Sequence, residues 1–187
     1  MTARPPRPAV FLDRDGVLNA NVVIAGKAYA PTELSAFRLL PGVIEAGRSL
    51  KAAGYLLVVA TNQPDIATGR QSWATVEAMH DVLRVALPID AVKVCPHRDV
   101  DGCHCRKPKP GLLLEAAAEL NIDLARSWMI GDRWRDIDAG RSAGCRTVLV
   151  RAGHAEVAGE PDFETADLLE AAERILALDD RRCLTRP

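Results

Sequence analysis

Aromatic residues are scarce in this sequence, at 4% of 187 residues, and net charge is nearly absent, at −1. Few rings means few platforms on which bases could stack, and a near-neutral chain supplies no positive field for a nucleic-acid backbone or an anionic membrane. No apolar run approaches the roughly 18–20 residues of a membrane span. Residues 1–8 are basic and proline-rich without the apolar stretch of a secretory signal, and they read as a flexible lead. Internal repeats and low-complexity stretches are also missing. These absences leave a cytoplasmic, monomeric protein with no nucleic-acid and no membrane partner as the expectation.

Apolar residues make up 48% of the chain and charged residues 26%, enough to build one ordinary core. A single domain over 9–178 is expected, with a charged tail at 179–187. Within it, strand-like and helix-like segments alternate. Strands are expected at 9–12, 55–60, 91–94, 128–130 and 147–150, each a short apolar run. Helices are expected after Pro41-Gly42, over 71–85 with Ser72 as N-cap, over 110–120, over 135–143 closed by Gly144, and over 165–178. Residues 17–40 read as a loop. Such alternation predicts an α/β fold of three layers, a parallel sheet with helices on both faces. In sheets of this kind ligands gather at the carboxyl ends of the strands.

Those ends carry chemistry here. Asp13 and Asp15 follow the first strand, Thr61-Asn62-Gln63 the second, and Asp132 and Asp136 the fourth. An Asp-rich turn alone has an ordinary structural use, because Asp caps and turns well. Several carboxylates brought to one sheet edge, however, repel one another unless a cation lies between them, and oxygen ligands of this type suit Mg²⁺. A carboxylate can attack phosphorus, a metal can shield the approaching charges, and the Thr61 hydroxyl with the Lys107 ammonium can hold phosphoryl oxygens.

In order along the chain, Asp13-Arg14-Asp15-Gly16-Val17-Leu18-Asn19, Thr61-Asn62-Gln63, Arg106-Lys107-Pro108 and Gly131-Asp132-Arg133-Trp134-Arg135-Asp136 resemble the four motifs of the haloacid dehalogenase (HAD) superfamily of phosphatases. The resemblance implies a Rossmann-like fold and Asp13 as nucleophile. It makes Asp15 the general acid and base, and Thr61 and Lys107 the partners of the transferring phosphoryl group. Mg²⁺ would be held by Asp13, the Asp15 carbonyl and Asp132, with Asp136 close by or bridged by water. The stretch between the first two strands is too short for a large cap domain.

Five cysteines are present, three of them close together. Cys95, His97, Cys103 and Cys105 form C-x-H-x₅-C-x-C, four soft ligands within one loop, which suits a closed, structural Zn²⁺ site. His104 would point away from its neighbours if the segment is extended. Cys145 reads as a small buried hydrophobe and Cys183 as a tail thiol. The zinc would then fix Arg106 and Lys107 beside the phosphate site.

The short chain with its Cys/His loop resembles, within the superfamily, the heptose-bisphosphate and histidinol-phosphate phosphatase group. That resemblance implies a small phosphorylated sugar as substrate, the 7-phosphate of D-glycero-D-manno-heptose 1,7-bisphosphate foremost. Arg106 and Arg133 would recognise it, with Asn62 also at the substrate. Residues 21–24 are expected along the pocket. Histidinol phosphate is the competing substrate, and a zinc-stabilised binding module without turnover is the alternative of another class.

Overall fold

The computed structural model describes residues 5–151 and 160–184, with side chains to residue 179. Along the chain the strands are β1 (Ala9–Leu12), β2 (Val22–Ile24), β3 (Lys27–Tyr29), β4 (Leu56–Asn62), β5 (Ala91–Cys95), β6 (Trp128–Gly131), β7 (Arg146–Val150) and β8 (Phe163–Thr165). The helices are α1 (Val43–Ala52), α2 (Trp73–Ala86), α3 (Gly111–Leu120), α4 (Trp134–Ala143) and α5 (Leu168–Leu184). Six strands form one parallel sheet in the order β5-β4-β1-β6-β7-β8, and β2 and β3 form a separate antiparallel hairpin.

Because successive strand residues face opposite ways, each strand serves two cores. Val10, Leu12, Leu57, Val59 and Ile130 pack with residues of α1, α2 and α5. Ala9, Phe11, Val58, Ala60 and Met129 pack on the other face with residues of α3 and α4. Each large side chain so buried contributes about 1.5–3 kcal/mol relative to exposure, which explains why the runs are apolar throughout rather than alternating. Trp128 is buried, with the Arg146 guanidinium 3.9 Å over its ring and the Phe163 ring 5.4 Å away edge-on, so it pins β6, β7 and β8 together. At the start of α2 the Ser72 hydroxyl accepts a hydrogen bond from Thr75 N at 3.1 Å, the cap expected there.

Chain order and strand order diverge around β1. Its neighbours are β4 on one side and β6 on the other. From β1 the chain runs outward through β4 and β5 and then crosses back to β6 on the other side, so the strand order reverses at β1 and a crevice opens at its carboxyl end. The 13–42 segment that follows carries the small hairpin and one 3₁₀ turn, Leu34–Ala36, and no cap domain.

Four expectations need correction. The loop expected over 17–40 contains the hairpin. Strand β8 lies where a helix was expected to begin, and α5 starts at Leu168 and runs on to Leu184, into the expected tail. The lead also ends earlier than residue 8: Arg7 N donates to Asn121 O at 3.1 Å and Arg7 O accepts from Asp123 N at 2.9 Å, beside β1. Residues 1–4 of that lead and the Cys183 side chain lie outside the described residues. No helix among the described residues is long and apolar enough to cross a membrane.

Candidate active site

Three of the expected acids meet at the end of β1. Asp13, Asp132 and Asp136 are buried, with one carboxylate oxygen from each lying within 4.8 Å of the others. Glycines make this approach possible. Gly16 adopts φ +91°, and a Cβ there would stand 2.2 Å from Asp132 Oδ2; a Cβ on Gly131 would stand 2.1 Å from Asp136 Cβ. The motif glycines are thus the space into which the carboxylates fit.

Lys107 closes the group. Its Nζ lies 2.8 Å from Asp13 Oδ1 and 2.5 Å from Asp136 Oδ1. Burial alone would lower the Lys107 pKa, but the two carboxylates override it and hold the ammonium charged well above its ordinary value. Burial pushes Asp13 up to about 6, with Lys107 opposing and Asp136 adding. Asp132 is pushed up to about 8, first by burial and then by the charges of Asp13 and Asp136. One ammonium does not neutralise three buried acids. A divalent cation held by oxygen ligands fits this donor set.

Asp15 is placed differently from the other acids. Its Oδ1 accepts from Arg14 Nε (3.2 Å), Arg14 Nη2 (3.0 Å) and Asn19 Nδ2 (2.9 Å). Its Oδ2 accepts from Arg14 Nη2 (3.0 Å) and Gln63 Nε2 (2.7 Å). The carboxylate therefore stands outside the acidic trio, and only its main chain is left for a metal. Arg14 is fully buried, with its guanidinium carbon 5.8 Å from the centre of the Phe37 ring. Sequence reasoning gave Arg14 and Gln63 no role, since buried pairing between such residues has no pattern along the chain.

Thr61 is buried, and its hydroxyl oxygen accepts from Gln63 Nε2 at 2.8 Å, which leaves the hydroxyl proton to donate elsewhere. Asn62 is tied to the chain as well as to the site. It lines the cavity, but its side chain donates to Lys107 O and accepts from Lys107 N, both at 3.1 Å. It fastens the Lys107 backbone, and the second Nδ2 hydrogen takes part in neither bond.

A cavity of about 440 Å³ opens over Asp13, Asp15, Lys107 and Asp136, a volume that suits a small-molecule ligand. Arg106 and Arg133 line it as expected, and so do Arg70 and Arg135, which sequence reasoning did not single out. Of residues 21–24, Asn21 reaches this cavity, Val23 faces an adjoining apolar one, and Ile24 is exposed.

Beyond β5, Cys95, His97, Cys103 and Cys105 converge. The Sγ–Sγ separations are 3.2, 3.5 and 3.7 Å, and His97 Nδ1 lies 3.6 Å from Cys95 Sγ and 3.3 Å from Cys105 Sγ. Ligands at about 2.0–2.3 Å from a tetrahedral zinc ion have edges of this order. Burial pushes the Cys95 thiol well above the ordinary range, so a metal is needed to make it a thiolate. His104 turns away to Glu115, at 2.9 Å. Cys145 is buried among apolar residues.

A family model described as HAD-hydrolase-like matches residues 104–174. The D-glycero-beta-D-manno-heptose-1,7-bisphosphate 7-phosphatase of Pseudomonas aeruginosa is 40% identical over 152 residues, covering 79% of this chain and 83% of that one. The D-glycero-D-manno-heptose-1,7-bisphosphate 7-phosphatase of Thermosynechococcus vestitus is 38% identical, covering 91% and 96%. Among solved structures, the D,D-heptose 1,7-bisphosphate phosphatase of B. bronchiseptica, complexed with magnesium and phosphate, superposes with a TM-score of 0.77 at 34% identity, covering 91% and 99%.

Proposed function

The chain belongs to the HAD-like hydrolases, in the family of the heptose-1,7-bisphosphate 7-phosphatases, and on that premise we propose that it hydrolyses the 7-phosphate of D-glycero-D-manno-heptose 1,7-bisphosphate through Asp13. One observation carries the reading. The Asp13 carboxylate stands at the end of the central strand, on the floor of an arginine-lined cavity, with one oxygen held by Lys107 at 2.8 Å. A buried carboxylate crowded by Asp132 and Asp136 beside one fixed cation is arranged to meet a metal and a phosphate rather than to stabilise the fold, because its burial is costly.

In this reading Asp13 attacks phosphorus, the bond to the sugar oxygen breaks, and that oxygen takes its proton from Asp15. Asp15 then takes a proton from water, which attacks the aspartyl-phosphate, releases phosphate and restores Asp13. Arg14, Asn19 and Gln63 fix the Asp15 carboxylate at the cavity, and Asp15 exchanges one of these accepted hydrogen bonds for the sugar oxygen or the water at each proton transfer. Lys107 and the Thr61 hydroxyl neutralise and bind the transferring oxygens. Mg²⁺, held by Asp13, Asp132 and the Asp15 carbonyl with Asp136 beside it, would supply further charge neutralisation between nucleophile and phosphate. Zinc at the four Cys/His ligands would stiffen the loop that delivers Arg106 and Lys107. Thiols in a zinc loop need a reducing compartment, which supports a cytoplasmic setting, and we take the enzyme to act as a monomer.

Phosphate release should be measured on both anomers of the heptose bisphosphate, on histidinol phosphate and on simple sugar monophosphates. The bisphosphate is expected to give a kcat/KM at least about tenfold above the others, a difference of 1.4 kcal/mol. The product should be the 1-phosphate by phosphorus NMR. A highest kcat/KM on histidinol phosphate would sink the assignment.

The raised carboxylates also predict a pH effect. Below the ordinary value of 3.8, folded and unfolded chains both keep these protons. Above it the unfolded chain releases protons that the metal-free fold retains on Asp13 to about pH 6 and on Asp132 to about pH 8. Metal-free stability therefore falls as pH rises through that window, and Mg²⁺, which displaces the protons, binds more tightly as pH rises. Melting midpoints with chelator and with Mg²⁺ should diverge from pH 6 to pH 8, two values chosen about the shifted range. A midpoint gain from Mg²⁺ that shrinks with pH would contradict the ligand set.

A further inference from the structure

Two arginines on the cavity wall converge on a single exposed carboxylate. Arg106 follows the last cysteine of the zinc loop, donates Nε to Asp99 Oδ1 at 2.7 Å and Nη1 to the His97 carbonyl at 3.1 Å. Arg135, in the first turn of α4, donates Nη1 to the same carboxylate at 3.0 and 3.4 Å. Asp99 belongs to a 3₁₀ turn, Asp99–Asp101, inside the Cys/His loop. All three residues line the cavity that holds Asp13 and Lys107.

As a stabilising device the arrangement is weak. The Asp99 side chain is 63% exposed, and an ion pair so open to solvent contributes little. Tying the loop to α4 would need one arginine. The second leaves a net positive charge on the wall. Arg135 is also held from two directions, by Asp99 and by the Trp134 ring, whose centre lies 5.3 Å from its guanidinium carbon. Its Nε and Nη2 make no hydrogen bond among the described residues. Two guanidinium forks fixed side by side, with donor atoms uncommitted, match the oxygens of one phosphate.

We propose that Arg135 is a specificity-determining residue of this enzyme, receiving with Arg106 the phosphate that is not cleaved, and that Asp99 is the positioning residue that holds the two guanidiniums together. The proposal rests on the reading of the protein as a sugar-bisphosphate phosphatase. A substrate with one phosphate has nothing to place between the forks, so this wall selects bisphosphates. Asp99 belongs to the zinc loop and Arg135 to the helix that begins at the Asp132 motif. The subsite therefore exists only when those two elements are docked.

Steady-state kinetics of the metal-loaded full-length enzyme on heptose 1,7-bisphosphate and on heptose 7-phosphate test this, because the two share the reacting end. In Arg135→Ala the KM for the bisphosphate should rise about ten- to hundredfold, the range for a lost charged hydrogen bond, with kcat within about threefold. For heptose 7-phosphate kcat/KM should fall by less than about threefold, so the preference for two phosphates collapses. Arg135→Lys should recover part of it, since it keeps the charge without the fork. Asp99→Ala should also raise KM for the bisphosphate, and its effect combined with Arg135→Ala should be smaller than the product of the two. An unchanged preference in Arg135→Ala, or kcat falling equally on both substrates in Arg135→Ala and Arg135→Lys, would overturn the proposal alone. Wild-type enzyme inactive on the bisphosphate would overturn the functional reading and the proposal together.

Discussion

An Asp13→Asn protein should fold, bind its substrate and turn over at least on the order of 10⁴-fold more slowly than wild type, the scale seen when an enzyme loses its nucleophile. The amide matches the carboxylate in shape, so packing at the end of β1 is retained. It lacks the charge and the basicity to attack phosphorus. Stability should not suffer, because Asp13 is a carboxylate that burial pushes up to about 6, and removing it relieves the crowd around Asp132 and Asp136. Lys107 keeps Asp136 as a partner at 2.5 Å. Rapid-quench experiments with labelled substrate should trap an acid-stable, hydroxylamine-sensitive phosphoprotein from wild type and none from the variant. Undiminished turnover in Asp13→Asn would refute the nucleophile assignment.

Loss of the zinc loop is the second large effect. Purified protein should carry about one zinc per chain, and Cys95→Ala should abolish it. Cys95 is buried in β5, paired in register with Asn62 of β4, and its carbonyl accepts from Gln63 N at 2.7 Å. Disturbing it reaches Asn62, whose side chain clamps the Lys107 backbone, and Gln63, which touches both Asp15 and Thr61. Apparent zinc-binding energies of about 10–16 kcal/mol are available in isolated zinc peptides. If only about 3 kcal/mol of that acts on this fold, the melting midpoint drops by about 6–12 °C in a chain of this size. The kcat should fall along with it, because Lys107 loses its support. Metal analysis, melting curves and turnover on the same preparation check all three. Metal-free protein with wild-type stability and turnover would show that the four ligands do not form a structural site.

Much of this was legible along the chain because the signal is local. A buried parallel strand must be apolar on both faces, so the runs at β1, β4, β6 and β7 stand out. Acids and a glycine directly after such a run lie near the core, where solvated charge is costly, which is why Asp13, Asp15 and Asp132 could be picked without coordinates. The four side chains of the candidate zinc site were equally visible, since they fall within one loop. The hairpin β2–β3 was not, because Val22, Val23 and Ile24 carry no buried-strand alternation and both Val23 and Ile24 are largely exposed. Strand β8 has three residues at a sheet edge and lacks a distinguishing pattern.

The amino-acid sequence by itself determined the chemistry available to this protein: which carboxylates, which cations, which soft ligands, and their order on a parallel α/β frame. Tertiary structure alone decided how they divide the work. Lys107 meets Asp13 across 94 positions of chain, Asn62 turns to the Lys107 backbone, Arg14 sinks beneath Asp15, and Asp99 gathers Arg106 and Arg135. Propensity and periodicity act over a few residues, whereas an ion pair or a shared hydrogen bond depends on distance in space. Only the packing of the strands on their helices sets that distance.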